Sequence, residues 1–185
     1  MATKLGLRQL LKLSNVVRTG WLVRGVPPCL AENSMEHSYL VALMALLICR
    51  RLRDKGLNVD VERALQMALI HDVPEAITGD VLSWIKEGLD MDSHERRALE
   101  AMGLGEFVDL LHEFNEGQSL EAKVVRAADE VATLLVATEY ARRGYEEVKE
   151  LAKSILGKLK SPSGVPELDE TVREIVRELG EDGPR

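Results

Sequence analysis

Apolar residues recur along this chain at helical spacing, and the long stretches between glycines and prolines carry such a stripe. Residues from about Thr3 to Leu13 place Leu5, Leu7, Leu10, Leu11 and Leu13 on one side of a helix. Asn15 to Asn33 then reads as a long connection broken by Gly20, Gly25, Pro27 and Pro28, and long connections of this kind are often functional. Ser34 is placed to cap the next helix, which runs to about Lys55 and stops at Gly56. Asp60 caps a third helix ending near His71, and Pro74, Gly79 and Asp80 break the segment after it. Asp92 and Glu95 have the spacing of a capping box for a helix through about Met102. Further helices are expected over Gly105 to Asn115, from Ser119 to about Arg143, over Tyr145 to Lys158, and from Leu168 to Leu179. The tail from Gly180 to Arg185 is expected to fray. No sustained alternation or hairpin signal points to a sheet. The expectation is an all-α fold: one domain spanning residues 1–185, built as an orthogonal helical bundle.

Composition narrows the function more than the fold. With 185 residues, 45% hydrophobic and 30% charged, the chain has the makings of one sizeable core. Its formal net charge of -7 argues against a nucleic-acid polymer as partner, since such binders carry a basic excess. Cys29 and Cys49 lack metal or redox spacing. The longest apolar stretch, around Leu40 to Cys49, is too short for a bilayer, and the N-terminus has no cleavage signature. A soluble, cytoplasmic protein without a membrane partner is therefore expected.

The candidate chemistry lies in histidines and carboxylates set among apolar sequence. His37 stands in Glu36-His37-Ser38 at the start of the second helix, ahead of Leu40, Val41, Met44, Leu47 and Ile48. His71 and Asp72 close Ala68-Leu69-Ile70-His71-Asp72. Helix neighbours point about 100° apart, so both reach one ion only if it sits against the helix end, which the break before Pro74 permits. Asp129 interrupts an apolar helix face, a costly position for a lone carboxylate unless it is paired or metal-bound. Imidazole and carboxylate together suit manganese, iron, cobalt, nickel or zinc. Taken singly, each of these residues has a plainer reading as a cap or a hydrogen-bonded side chain. Their combination on three helices favours a metal. His94 and His112 sit among charged residues and read as solvated.

On these residues the chain resembles the HD-domain metal-dependent phosphohydrolases, most closely the small 5'-deoxynucleotidase group. His37, the pair His71-Asp72, and Asp129 match the family's ligand pattern, and similarity runs from about Leu5 to Glu139. The resemblance implies a divalent cation, cobalt, manganese or similar, with magnesium or zinc as alternatives. It implies a deoxyribonucleoside 5'-monophosphate as substrate and, by analogy, a homodimer. It assigns water-positioning or proton relay to Glu75 and Asp80, which by themselves read as a carboxylate after Pro74 and a turn or cap residue after Gly79. Arg18 and Trp21 match a first-loop arginine and tryptophan: a phosphate grip, and a wall that crowds a ribose 2'-hydroxyl. By themselves, Arg18 reads more usually as a solvated loop arginine and Trp21 at least equally as a core anchor. Lys86 would add charge at the phosphate, or lie on the surface. One departure stands out: where the family often has Thr-Pro before a valine and the lysine, this chain has Ser83-Trp84-Ile85-Lys86. Trp84 in place of the proline bears on the shape of the substrate pocket. Other expectations remain open: a triphosphate, an alarmone or a cyclic nucleotide as substrate; a metal- or nucleotide-binding regulator without turnover; or a helical protein whose histidines are satisfied by hydrogen bonds.

Overall fold

The computed structural model describes residues 6–86 and 88–181, and among them all regular structure is helical apart from one isolated bridge. A short helix α1 (Leu7–Leu10) continues as a 3-10 turn through Asn15; the expected start near Thr3 lies outside the described residues. The connection that follows is not free of structure. It holds one helical turn, α2 (Thr19–Leu22), and its two ends are tied by the antiparallel bridge Val17 to Asn33. Four residues are too few to carry a helical period, which is why the pattern did not reveal this turn.

Helix α3 (Ser34–Asp54) begins one residue away from the expected cap. Asn33, not Ser34, is the cap: its side chain accepts from the amides of Met35 and Glu36, while Glu36 accepts from the Asn33 amide. This reciprocal box satisfies donors that a helix start leaves open. Val41, Ala45, Ile48 and Leu52 recur at helical spacing and are fully buried. Helix α4 (Val61–Ile70) is capped by Asp60, which accepts from the Arg63 amide, and it ends at His71. The single turns α5 (Glu75–Thr78) and α6 (Ser83–Lys86) follow; between them Gly79 takes φ of 73°, a conformation that favours glycine, and turns the chain back.

Helix α7 (Met91–Ala101) is capped by Asp90 through the Ser93 amide rather than by Asp92, which is free to meet other partners. The expected helix from Gly105 opens as a 3-10 turn to Phe107 and becomes α8 (Val108–Glu116). Helix α9 (Leu120–Arg142), capped by Ser119, packs along α3 and is flanked by α4, α8 and α10 (Val148–Leu159). Helix α11 (Pro166–Glu181) starts earlier than Leu168, with proline at its first position where the missing amide costs nothing. It runs through Gly180, so fraying does not begin there; residues 182–185 lie outside the described residues.

Two apolar clusters result. The larger joins α3, α4, α9 and α11 through residues such as Ile48, Met67, Val125, Ala128 and Leu168. The smaller one consists of Trp21, Val26, Ala31, Ala137, Tyr140 and Val148, and it fastens the 16–33 connection to the far half of α9. The fold thereby brings α3, the end of α4, the middle of α9 and the 16–33 connection to a single place.

Candidate metal centre

His37 lies on the first turn of α3, which the Asn33 box fixes, and its side chain is fully buried. His71 and Asp72 stand where α4 stops, so the chain is free to turn both side chains inward. Asp72 Oδ2 lies 3.3 Å from His71 Nε2 and 3.8 Å from His37 Nε2, and donor atoms of the three residues all fall within 4.8 Å of one another. Asp129, from the middle of α9, brings Oδ1 to 3.0 Å from His37 Nε2. Donors roughly 2.0–2.2 Å from a common ion sit about 3–4 Å apart; the pairs named here stand 3.0, 3.3 and 3.8 Å apart, and Asp129 neighbours His37 without belonging to the set of three.

The hydrogen-bond pattern shows how these groups fit an ion. His71 Nδ1 lies 2.8 Å from the Ala68 carbonyl. A carbonyl only accepts, so Nδ1 carries the hydrogen and Nε2 keeps its lone pair. That Nε2 faces Asp72 Oδ2 at 3.3 Å, and the buried His37 ring has carboxylate oxygens on both sides, Asp129 Oδ1 at 3.0 Å from Nε2 and Glu32 Oε1 at 3.7 Å from Nδ1. Carboxylates gathered on two buried imidazoles are what a shared cation needs, and His37, His71 and Asp72 fit a divalent ion, with Asp129 beside His37 as a further carboxylate.

Charge is unevenly shared in this cluster. Burial and the Arg18 charge press the His37 imidazole down, but the carboxylates of Asp129 and Glu32 outweigh them and hold it up at about 9. Burial works to raise Asp72, yet His71, Arg18 and His37 hold its carboxyl below the usual range. Asp129 is likewise held low against burial, chiefly by His37. Burial and the charges of Asp72 and Asp80 push Glu75 up to about 8.

Glu32 is a residue the sequence reading missed. It is buried; Oε1 lies 3.7 Å from His37 Nδ1, and Oε2 accepts from the Trp21 indole at 3.1 Å. A carboxylate behind a ligating histidine fixes the ring and raises its basicity. Replacing Glu32 with alanine is expected to weaken divalent-metal affinity about 10- to 100-fold, and with glutamine by less, measured by competition with a fluorescent chelator. An affinity unchanged in Glu32→Ala would leave Glu32 as an anchor for Trp21 alone.

Around the centre opens a cavity of about 350 Å3, lined among others by Arg18, Trp21, Glu75, Asp80 and Lys86 together with His71, Asp72 and Asp129. Arg18 donates to Asp72 Oδ2 at 3.2 Å, so its guanidinium is turned toward the centre rather than into solvent. Trp21 is 1% exposed, with its ring 5.1 Å edge-on from Tyr140; it is anchored in the smaller core and also borders the cavity. Ser34 does not cap α3. Its hydroxyl donates to Glu75 Oε2 at 2.6 Å and joins the helix start to the buried carboxylate. Asp80 accepts from the Thr19 amide while its carbonyl accepts the Thr19 hydroxyl at 2.9 Å, so it holds the turn that carries Arg18. His94 and His112 are exposed and lie outside the cluster. The cavity also has a wall from α10, Leu151, Ile155 and Lys158, which read in the sequence as an ordinary amphipathic helix.

The chain matches the HD domain family across residues 10–170, and it belongs to that family. It is 33% identical over 144 residues to the 5'-deoxynucleotidase HDDC2 of Homo sapiens, an alignment covering 72% of this chain and 66% of the human protein. The chain thus spans just under two thirds of that relative. Among solved structures, a conserved hypothetical protein from Pyrococcus furiosus is 32% identical with a TM-score of 0.81, covering 95% of this chain and 97% of that one. An HD-domain phosphohydrolase from Listeria innocua, 20% identical, shares the fold with a TM-score of 0.75 over 96% of this chain and 88% of its own.

Proposed function

We propose that this protein hydrolyses deoxyribonucleoside 5'-monophosphates to the deoxynucleoside and inorganic phosphate, using a divalent cation. The observation that carries this reading is the cluster of His37, His71 and Asp72, whose donor atoms all lie within 4.8 Å of one another with Asp129 beside them, opening into a cavity that also holds Arg18 and Lys86. The activity in the name of the human relative agrees with it. His37, His71, Asp72 and Asp129 would hold the cation, which when bound would supply a water of lowered pKa and Lewis-acid polarisation of the ester.

The rest of the work falls to the chain's own side chains. Arg18, already turned toward the centre, meets two phosphate oxygens with its planar fork. Lys86 adds a second positive charge along the same cavity. The Glu75 carboxylate takes up the proton that the attacking water loses, and Ser34 holds that carboxylate in position. Asp80 keeps the Arg18 turn in register and adds a second carboxylate near the phosphate. Trp21, immobilised by Glu32 and Tyr140, forms a rigid wall against which a 2'-hydroxyl would have no room. Cobalt or manganese suits the mixed nitrogen and oxygen donors, with magnesium or zinc as alternatives. The chain acts as a cytoplasmic homodimer in this reading. The partly exposed apolar stripe Met35, Tyr39, Leu43 and Leu47 on α3 supports self-association, and no helix among the described residues is long and apolar enough to cross a membrane.

The test is phosphate release from matched deoxy- and ribonucleoside 5'-monophosphates by metal-stripped protein with cobalt, manganese, magnesium or zinc added back. Metal-dependent release confined to the deoxy series is expected. Release from both series would keep the nucleotidase and remove the role given to Trp21. No release with any metal would redirect the search to triphosphates, alarmones, cyclic nucleotides and a regulator without turnover.

A further inference from the structure

The cavity lining is divided between two chemistries. One part is charged and serves phosphate and cation: Arg18, Asp72, Glu75, Asp129. The other is apolar, with Trp84 from α6 and Leu151 and Ile155 from α10. Trp84 has no place in the reading above, and its setting is unusual. It is 69% exposed, although tryptophan is among the side chains most buried on average. The chain's other tryptophan shows how this fold treats an indole used for packing: Trp21 is 1% exposed and donates its N–H to Glu32. Trp84 does neither job of a core residue, and it lies on the wall of the cavity rather than away from it.

We propose that Trp84 is a stacking platform for the nucleobase, a specificity-determining residue that favours base-bearing phosphomonoesters over bare sugar phosphates. The proposal rests on the nucleotide reading and names the part of that substrate which the charged groups leave unrecognised. An indole face accepts any base, because every base has a π-face, and it holds the larger purines more strongly than pyrimidines. Hydrogen-bond readout of a particular base is not needed. Trp84 shares α6 with Lys86, and both line the cavity, so one short turn brings an indole and a cation to its wall. Ile85 and Leu89, also partly exposed nearby, do not line the cavity. They offer the competing reading, in which the whole stretch is a surface for a protein partner, but that reading does not explain why the largest of these side chains borders the cavity.

The experiment compares metal-loaded wild type, Trp84→Ala and Trp84→Phe on deoxyadenosine 5'-monophosphate and on 2-deoxyribose 5-phosphate, the same ester without a base. The readout is the preference, the ratio of kcat/KM for the two. Loss of the stack is expected to reduce that preference about tenfold in Trp84→Ala, through KM, with most of it restored in Trp84→Phe. A second readout needs no turnover. Tryptophan emission of the metal-loaded protein is expected to be quenched by deoxyadenosine but not by inorganic phosphate, and in Trp84→Phe only the part due to Trp21, on the same cavity, is expected to remain. Wild type that hydrolyses neither ester, yet shows that Trp84-dependent quench, would sink the phosphomonoesterase reading and keep the stacking site. Hydrolysis with an unchanged preference in Trp84→Ala and a quench that is the same in Trp84→Phe as in wild type, or absent from both, would overturn the stacking site alone and assign the Trp84 stretch to a protein partner.

Discussion

His71→Ala and Asp72→Asn are expected to purify without a stoichiometric divalent ion and to release phosphate at least about 10- to 100-fold more slowly than wild type. That bound takes the loss seen when only a supporting residue around a metal is removed, and a direct ligand should cost no less. His71 offers a lone pair on a ring oriented by the Ala68 carbonyl, so alanine removes both the donor and its pre-aimed geometry. Asp72→Asn keeps the shape of the side chain and removes the charge that faces His71, His37 and Arg18. Metal content by elemental analysis, circular dichroism and phosphate release together separate loss of the ion from loss of the fold. The same centre predicts a stability effect. An ion at about 100 times its dissociation constant stabilises by about 2.7 kcal/mol, so chelation should lower the melting midpoint by about 5–10 °C in a chain of this size. The variants should melt near the chelated wild type and no longer respond to chelator. A folded His71→Ala protein with full metal content and full activity would remove His71 from the centre.

Glu75→Gln is expected to keep the ion and lose turnover, with kcat falling about a hundred- to ten-thousandfold, the range for removing a general base. The substitution is nearly isosteric. Glutamine retains an oxygen to accept from the Ser34 hydroxyl, so the α3 to α5 link survives, but it cannot take up a proton. The carboxylate is buried beside the centre and lines the cavity, which no simple cap on an exposed turn would do. Ser34→Ala should produce a smaller loss of the same kind, because it frees the carboxylate without removing it. Steady-state kinetics with metal analysis decide the matter: unaltered kcat in Glu75→Gln would make Glu75 a structural link between the two helices.

How much of this was legible depends on the range of the interaction that fixes each residue. The long helices α3, α4 and α9 carry their core faces in the local pattern, and so does the interruption at Asp129. The cap of α3 was misplaced by one residue because Ser34 looks like a cap in isolation. Its hydroxyl is taken by Glu75, from a segment far along the chain, and Asn33 is left to do the capping. Glu32 escaped notice for the same reason. In sequence it is a carboxylate in a loop, and only the fold brings His37 to one oxygen and Trp21 to the other. The turn α2 depends on Asp80 and on the small core around Tyr140, neither of which a four-residue window contains. The α10 wall of the cavity gave no signal at all, since Leu151 and Ile155 serve an amphipathic pattern equally well wherever the helix lands.

The position of α9 has a consequence for how the protein comes into being. His37, His71 and Asp72 leave the ribosome well before Asp129, and chains are made and folded from the N-terminal side onward. Those first three donors have part of what aims them, the Asn33 box, the Ala68 carbonyl and the packing of α3 on α4, while α9 adds Asp129 and the surface on which both helices rest. A nascent or truncated chain ending before Leu120 would possess most of the donors and only part of the scaffold that aims them. Tight capture of the ion is therefore expected only once α9 has been made.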